Sequence, residues 1–250
     1  FPRRRHNMVI LADGEVMALG GTRSADDLGD GITTGAVYEG EIWNPDTEQW
    51  TLTAKMTNDR MYHSAAILLP DGRVLTAGGE YSGRYTAQLF SPPYLFKGAR
   101  PVINAAPSTA GYGAALPIDV GITDGSTISG VALLGLNAVT HAFDHNQRYV
   151  PLSFTQAGAT VNAVAPLSAN YAPPGYYMLV VKDSKGVPSV AKFIRIDTSA
   201  NLVPGTVGGV VKDGNGDPLA GVGVSYARGS TSTAGDGSYT LGTLSPGEEI

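Results

Sequence analysis

No cysteine occurs among the 250 residues, which excludes disulfides, thiolate metal sites and a thiol nucleophile within this chain. Charge is scarce as well. Asp, Glu, Lys and Arg make up 16% of the chain, with a net charge of -5, so the basic surface expected of a nucleic-acid partner is missing. Arg3, Arg4 and Arg5 form a cluster too short and isolated to supply one. No apolar run approaches the ~18 residues that a membrane helix needs. The opening FPRRRHNMVILADG also lacks the long apolar core and small-residue cleavage site of a signal peptide.

What is present points to an all-β protein. Apolar residues reach 42%, enough to fill one large domain or two to three small ones. Glycine occurs 33 times and proline 16, and the many Thr, Ser, Val and Tyr residues suit short strands joined by turns.

The chain contains an internal repeat. RHNMVILADGEVMALGGT, from Arg5 to Thr22, aligns with YHSAAILLPDGRVLTAGGE, from Tyr62 to Glu80. His6 falls over His63, Asp13-Gly14 over Asp71-Gly72, and Gly20-Gly21 over Gly78-Gly79. The two Asp-Gly pairs lie 58 positions apart, near the ~50-residue kelch period. Each unit predicts a strand, a tight Asp-Gly turn, a second strand and a Gly-Gly break. EIWNPDTEQWTLTAKM predicts a further hairpin that turns at Asn44-Pro45-Asp46, with Trp43 and Trp50 as packing residues, and AQLFSPPYLF is expected to repeat that role. Four strands per repeat is the plan of a β-propeller blade. A blade buries its faces only against neighbours, so about two blades are expected to be the last part of a larger propeller.

From Arg100 the pattern changes to short strands at roughly ten-residue spacing without the Gly-Gly mark, which predicts an immunoglobulin-like sandwich. After a polar joint at Thr198-Ser199-Ala200-Asn201 the chain again reads as β, with turns at Asp213-Gly214 and Asp236-Gly237. The expected division is 1–98 for the kelch blades, 99–198 for the sandwich and 203–250 for an incomplete third β-module. Asp213, Asn215 and Asp217 have the composition of a calcium loop, but a glycine-rich turn explains them more simply.

Four histidines occur: His6, His63, His141 and His145. His6 recurs at a repeat position and is expected to be structural. His63 shares that position but follows Tyr62, where the first repeat has Arg5. Neighbours on a regular strand point to opposite faces, so Tyr62 and His63 can serve one site only where the backbone is bulged or outside the strand. His141, in NAVTHAFDHNQRYVPL, falls in a loop between sandwich strands that is placed to reach toward another domain. His145 is expected to face solvent. Two imidazoles and a phenol oxygen make a nitrogen and oxygen donor set that suits tetragonal Cu(II).

RMYHSAAILLPDGRVLTAGG, AQLFSPPYLF, VTHAFDHNQRYVPL and GYYMLVVKDSKGVPSVAKFIRI occur in this order. Over about residues 1 to 197 the chain thereby resembles the C-terminal part of the galactose oxidase and glyoxal oxidase family of copper-radical oxidases. The resemblance implies that Tyr62 is the axial tyrosine and catalytic base, with His63 and His141 as copper ligands. It also implies that a loop of the sandwich domain carries His141 up through the propeller. The implied reaction oxidises a primary alcohol or aldehyde, of a carbohydrate or a simpler molecule, with O2 to give H2O2, in an extracellular setting. The family's radical partner, a tyrosine crosslinked to cysteine, is expected upstream of this chain, so the chain by itself is expected to be inactive. The tail from about Pro204 resembles a carboxypeptidase-regulatory-like, transthyretin-type sandwich. The alternative is a non-enzymatic kelch and sandwich protein that binds glycans or cell surfaces.

Overall fold

A computed structural model describes residues 1–24, 34–79, 85–198, 205–226 and 229–244. The chain divides into two units, Phe1–Asp197 and Thr198–Ile250. The expected joint at Ser199–Asn201 lies outside the described residues.

The first unit opens with an antiparallel sheet of β1 (Asn7–Ile10), β2 (Val16–Leu19), β3 (Glu39–Asn44) and β4 (Gln49–Lys55), paired in chain order. This is the four-stranded sheet that the first repeat predicts. The Trp43 and Trp50 positions pair across β3 and β4, yet Trp50 remains 53% exposed, so it does not pack in the core. The second repeat forms β5 (Ser64–Leu68), β6 (Val74–Gly78) and β7 (Ala87–Phe90), also in order. Here the expected second hairpin is absent. After Phe90 the chain enters a 3-10 turn at Pro93–Phe96, because Pro92-Pro93 offers no N–H groups to continue a ladder.

Residues 102–196 form a sandwich, built from β8 (Val102–Ala105), β9 (Thr109–Ala110), β10 (Ala115–Gly121), β11 (Ile128–Gly135), the short hairpin β12 (Val139–Thr140) and β13 (Phe143–Asp144), β14 (Tyr149–Pro151), β15 (Phe154–Ala157), β16 (Thr160–Val164), β17 (Gly175–Asp183) and β18 (Lys192–Ile196). One sheet runs β15-β16-β10-β8 and the other β14-β11-β17-β18-β9. Alternation on β10 buries Leu116, Ile118 and Val120 while their neighbours stay outside, the period-two signature of a half-buried strand.

The central strands β11 and β17 lack that alternation because both of their faces are covered. Val131, Leu133, Leu179 and Val181 fill the sandwich core. The intervening Ala132, Leu134, Met178 and Val180 face the other way, into a second core with Val9, Leu11 and Leu19 of the first sheet and Leu68 and Val74 of the second. Each larger side chain buried there contributes about 1.5–3 kcal/mol. The apolar runs VALLG and YMLVV are therefore what fastens the sandwich to the two preceding sheets. Arg100 reinforces the joint: its guanidinium donates to the carbonyls of Pro188, Asp71 and Ser189 at 2.7–2.8 Å.

In the second unit β19 (Gly205–Val210) pairs with β22 (Ser238–Leu244), and β20 (Gly223–Tyr226) with β21 (Gly229–Ser232). The Asp213 carboxylate accepts the N–H groups of Asn215 and Asp217, both at 2.9 Å, as the turn reading predicts.

Candidate metal centre

The Tyr62-His63 pair sits in the turn just before β5, which begins at Ser64. His63 has φ 58°, a left-handed conformation, so the alternation of a strand does not apply. Its ring stacks on that of Tyr62, with centroids 3.9 Å apart and planes 25° from parallel. Both requirements for a shared site, departure from the strand and a common side, are thus met at this turn.

The Gly-Gly break of the first repeat holds this segment in place. Arg60, fully buried, accepts the Gly21 N–H on its carbonyl at 2.7 Å. A Cβ at Gly20, where φ is 70°, would stand 2.2 Å from that same oxygen. Only glycine admits both the φ and the approach. At the far end of Arg60 the guanidinium donates to Gly78 and Thr86, so the backbone leading into Tyr62 is anchored on both sides.

The third expected group arrives from the sandwich. Between β11 and β14 the chain forms the β12–β13 hairpin, which lies against β5 through β12 and against β1 through β13. Asn137 accepts the Leu68 N–H of β5 at 3.1 Å. Gln147 accepts the Ile10 N–H of β1 and donates to the Met8 carbonyl. Asp144 closes the base of the hairpin by accepting the Asn137 side-chain amide at 2.5 Å and the N–H groups of Ala138 and Asn146 at 2.9 and 3.1 Å. The tip is His141-Ala142, with φ values of 52° and 67°. Two positive φ angles are what a two-residue type I′ turn demands, usually of Asn-Gly.

At that tip the His141 ring centroid stands 4.8 Å from that of His63 and 5.9 Å from that of Tyr62, both edge to face. The three side chains that the sequence singled out therefore converge, although 78 residues separate His63 from His141. Among the described residues, five non-glycine positions have positive φ. His63, His141, Ala142 and Arg5 all belong to this locality, and only Glu48 lies elsewhere, in the β3–β4 turn. Such conformations cost on the order of 1–3 kcal/mol each and gather where a constellation is being held.

Arg5, which sequence reasoning passed over, completes the surroundings. Its guanidinium carbon lies 4.2 Å from the Tyr62 ring centre. The signal was available, since Arg5 and Tyr62 occupy the same position in successive repeats. His6, the repeat counterpart of His63, takes no part in the ring cluster. It lines a separate cleft with Arg3 and Glu41, and burial followed by the Arg3 charge holds its pKa below the ordinary histidine range. His145 is exposed, 6.4 Å from the Phe143 ring.

The donor set can be tested against metal chemistry. Among the described residues no three His, Cys, Asp or Glu side chains gather as a metal site, and the further oxygen donor whose ring lies beside those of His63 and His141 is the phenol of Tyr62. Two imidazoles and one phenol, with no sulfur, fit Cu(II) better than the softer Cu(I) or a zinc-thiolate pattern.

Residues 100–196 match the family described as "Galactose oxidase-like, Early set domain". These residues are a galactose oxidase-like early set domain. The chain is homologous to galactose oxidases and glyoxal oxidases. It is 33% identical over 207 residues to a galactose oxidase of Gibberella zeae, covering 78% of this chain and 30% of that enzyme. It is 32% identical over 222 residues to the aldehyde oxidase GLOX of Vitis pseudoreticulata, covering 78% and 42%. A solved structure described as a "novel fungal alcohol oxidase with catalytic diversity among the AA5 family, in complex with copper" superposes with a TM-score of 0.71 at 28% identity. It covers 78% of this chain and 43% of that one. The chain thus spans less than half the length of each of these relatives.

Proposed function

We propose that this chain forms part of a copper-radical oxidase that converts a primary alcohol or an aldehyde, with O2, to the next oxidation level and H2O2. The observation that carries this reading is the convergence of Tyr62, His63 and His141, the two histidines on left-handed backbone, at the junction of the two repeat sheets and the early set hairpin. In this reading His63 and His141 hold the metal through ring nitrogens and Tyr62 through its phenol oxygen. Bound copper would supply the one-electron redox chemistry that couples alcohol oxidation to O2 reduction. The Tyr62 phenol oxygen takes the proton of the substrate hydroxyl, a general-base role that needs it within hydrogen-bond reach of that hydroxyl. His141, on a hairpin pinned to β1 and β5, keeps its place while that proton moves. Because the chain lacks cysteine, a Cys-Tyr crosslink as radical partner belongs to residues outside these 250. The second unit is read as a carboxypeptidase-regulatory-like appendage, and the protein as secreted. No helix among the described residues is long and apolar enough to cross a membrane.

The test is peroxide formation by the full-length protein after copper loading, with galactose, glyoxal and simple primary alcohols as substrates. Copper-dependent peroxide that His141→Ala abolishes is the expected result. Equal peroxide from the His141→Ala protein overturns the ligand assignment. Absence of copper binding in the unsubstituted protein favours the glycan-binding alternative.

A further inference from the structure

We propose that Thr140 is the positioning residue that decides which nitrogen His141 offers, an inference that rests on the reading of Tyr62, His63 and His141 as metal ligands. Thr140 Oγ1 and His141 Nδ1 are 2.7 Å apart. A neutral imidazole has one N–H and one lone pair, and a metal takes the lone pair. The hydroxyl can donate to Nδ1 or accept from it, but either way it occupies Nδ1 and leaves Nε2 to face a metal. With Nε2 giving its lone pair to the metal, Nδ1 carries the proton and donates to the threonine oxygen, which holds the ring orientation.

The backbone makes this bond between neighbours feasible. Successive residues on a strand project to opposite faces, but Thr140 is the last residue of β12 and His141 turns away from it at φ 52°. Threonine is also stiff at χ1 because it is β-branched, and Thr140 is held in register opposite Phe143. The hydroxyl is consequently presented from a fixed place. Both groups are exposed, and water serves an exposed imidazole nearly as well as a hydroxyl does. The bond therefore adds little to folding and acts on the direction of the ring.

The experiment compares Thr140→Val, Thr140→Ala and Thr140→Ser with the unsubstituted full-length protein and with His141→Ala. Cu(II) affinity is measured by titration, and pulsed EPR reads the modulation from the remote, protonated nitrogen of each bound imidazole. That modulation responds to the hydrogen bond made at the remote nitrogen. Circular dichroism checks that each variant is folded, and alanine removes the hydroxyl with less bulk should valine disturb the hairpin. Loss of the hydroxyl is expected to weaken copper about ten-fold and to shift the modulation of one imidazole, and serine is expected to restore both. Valine and alanine variants with unchanged affinity and modulation, in a protein where His141→Ala has lost one imidazole signal, overturn the role of Thr140 and leave the ligand set standing. Retention of both imidazole signals by His141→Ala overturns the ligand set and this inference with it.

Discussion

The guanidinium of Arg5 lies over the ring of Tyr62, 4.2 Å from its centre, although the two residues hold equivalent positions in successive repeats. A second equivalent pair does the same: the Asn7 side-chain amide donates to the Ser64 hydroxyl at 2.9 Å. Because β1 and β5 are neighbouring edge strands, one repeat position meets its own copy across the sheet boundary. Substitution at that position, tyrosine for arginine, is what turns a structural contact into a candidate site.

Arg5→Leu keeps much of the apolar stem and removes the cation. Contacts of this kind contribute about 0.5–2 kcal/mol, so the urea midpoint should fall with an unchanged slope. A midpoint equal to that of the unsubstituted protein would show that the stacking contributes nothing.

Gly20→Ala should be far more damaging than its single methyl suggests. The new Cβ would stand 2.2 Å from the Arg60 carbonyl oxygen on backbone that disfavours any side chain. A loss of at least about 2 kcal/mol is expected, together with a changed tyrosine signal in near-UV circular dichroism as the segment leading into Tyr62 shifts. A soluble variant with the original melting temperature and spectrum contradicts this account.

Asp144→Ala removes an acceptor shared by three donors at the base of the His141 hairpin. Hydrogen bonds to a charged group contribute about 1.5–3 kcal/mol, but these act locally. Hydrogen exchange should therefore accelerate at Ala138 and Asn146, with the sandwich core unaffected. Protection at those two amides equal to that of the unsubstituted protein would refute the role of the carboxylate as a clasp.

Asp13 and Asp71 occupy the same turn position in the two repeats and are shifted in opposite directions. Burial, then the nearby Glu15, raises the Asp13 pKa to about 6. Burial pushes Asp71 upward too, but Arg73, which donates to its carboxylate at 2.7 Å, outweighs this and holds it below the usual range. For Asp13 the folded state binds a proton that the unfolded chain has already released between about pH 4 and pH 6. Its contribution to stability is therefore greatest at acid pH and is lost as pH rises through 6. Asp13→Asn, which keeps an acceptor for the Glu15 N–H, should stabilise by about 1–2 kcal/mol at pH 7.5, a few degrees of melting temperature. The gain should vanish near pH 4. An equal effect at both pH values would show that ionisation of Asp13 is not the cause.

The sequence by itself determined the all-β class, the two repeats with their Asp-Gly turns and Gly-Gly breaks, the change to a sandwich near Arg100, and the candidate residues Tyr62, His63 and His141. These were legible because turn chemistry and period-two burial act over a few residues. Reading AQLFSPPYLF as a hairpin gave the second repeat one strand too many, since Pro92-Pro93 outweighs the repeat pattern. Only the tertiary structure decided that β11 and β17 are covered on both faces, that Arg5 lies over Tyr62, and that Thr140 stands against His141. It alone brought His141 to His63, because that approach depends on Asn137 and Gln147 accepting N–H groups of strands more than sixty residues away and on left-handed backbone at His63, His141 and Ala142. Residue preferences do not announce such conformations, since histidine and alanine adopt them only where packing elsewhere compels it.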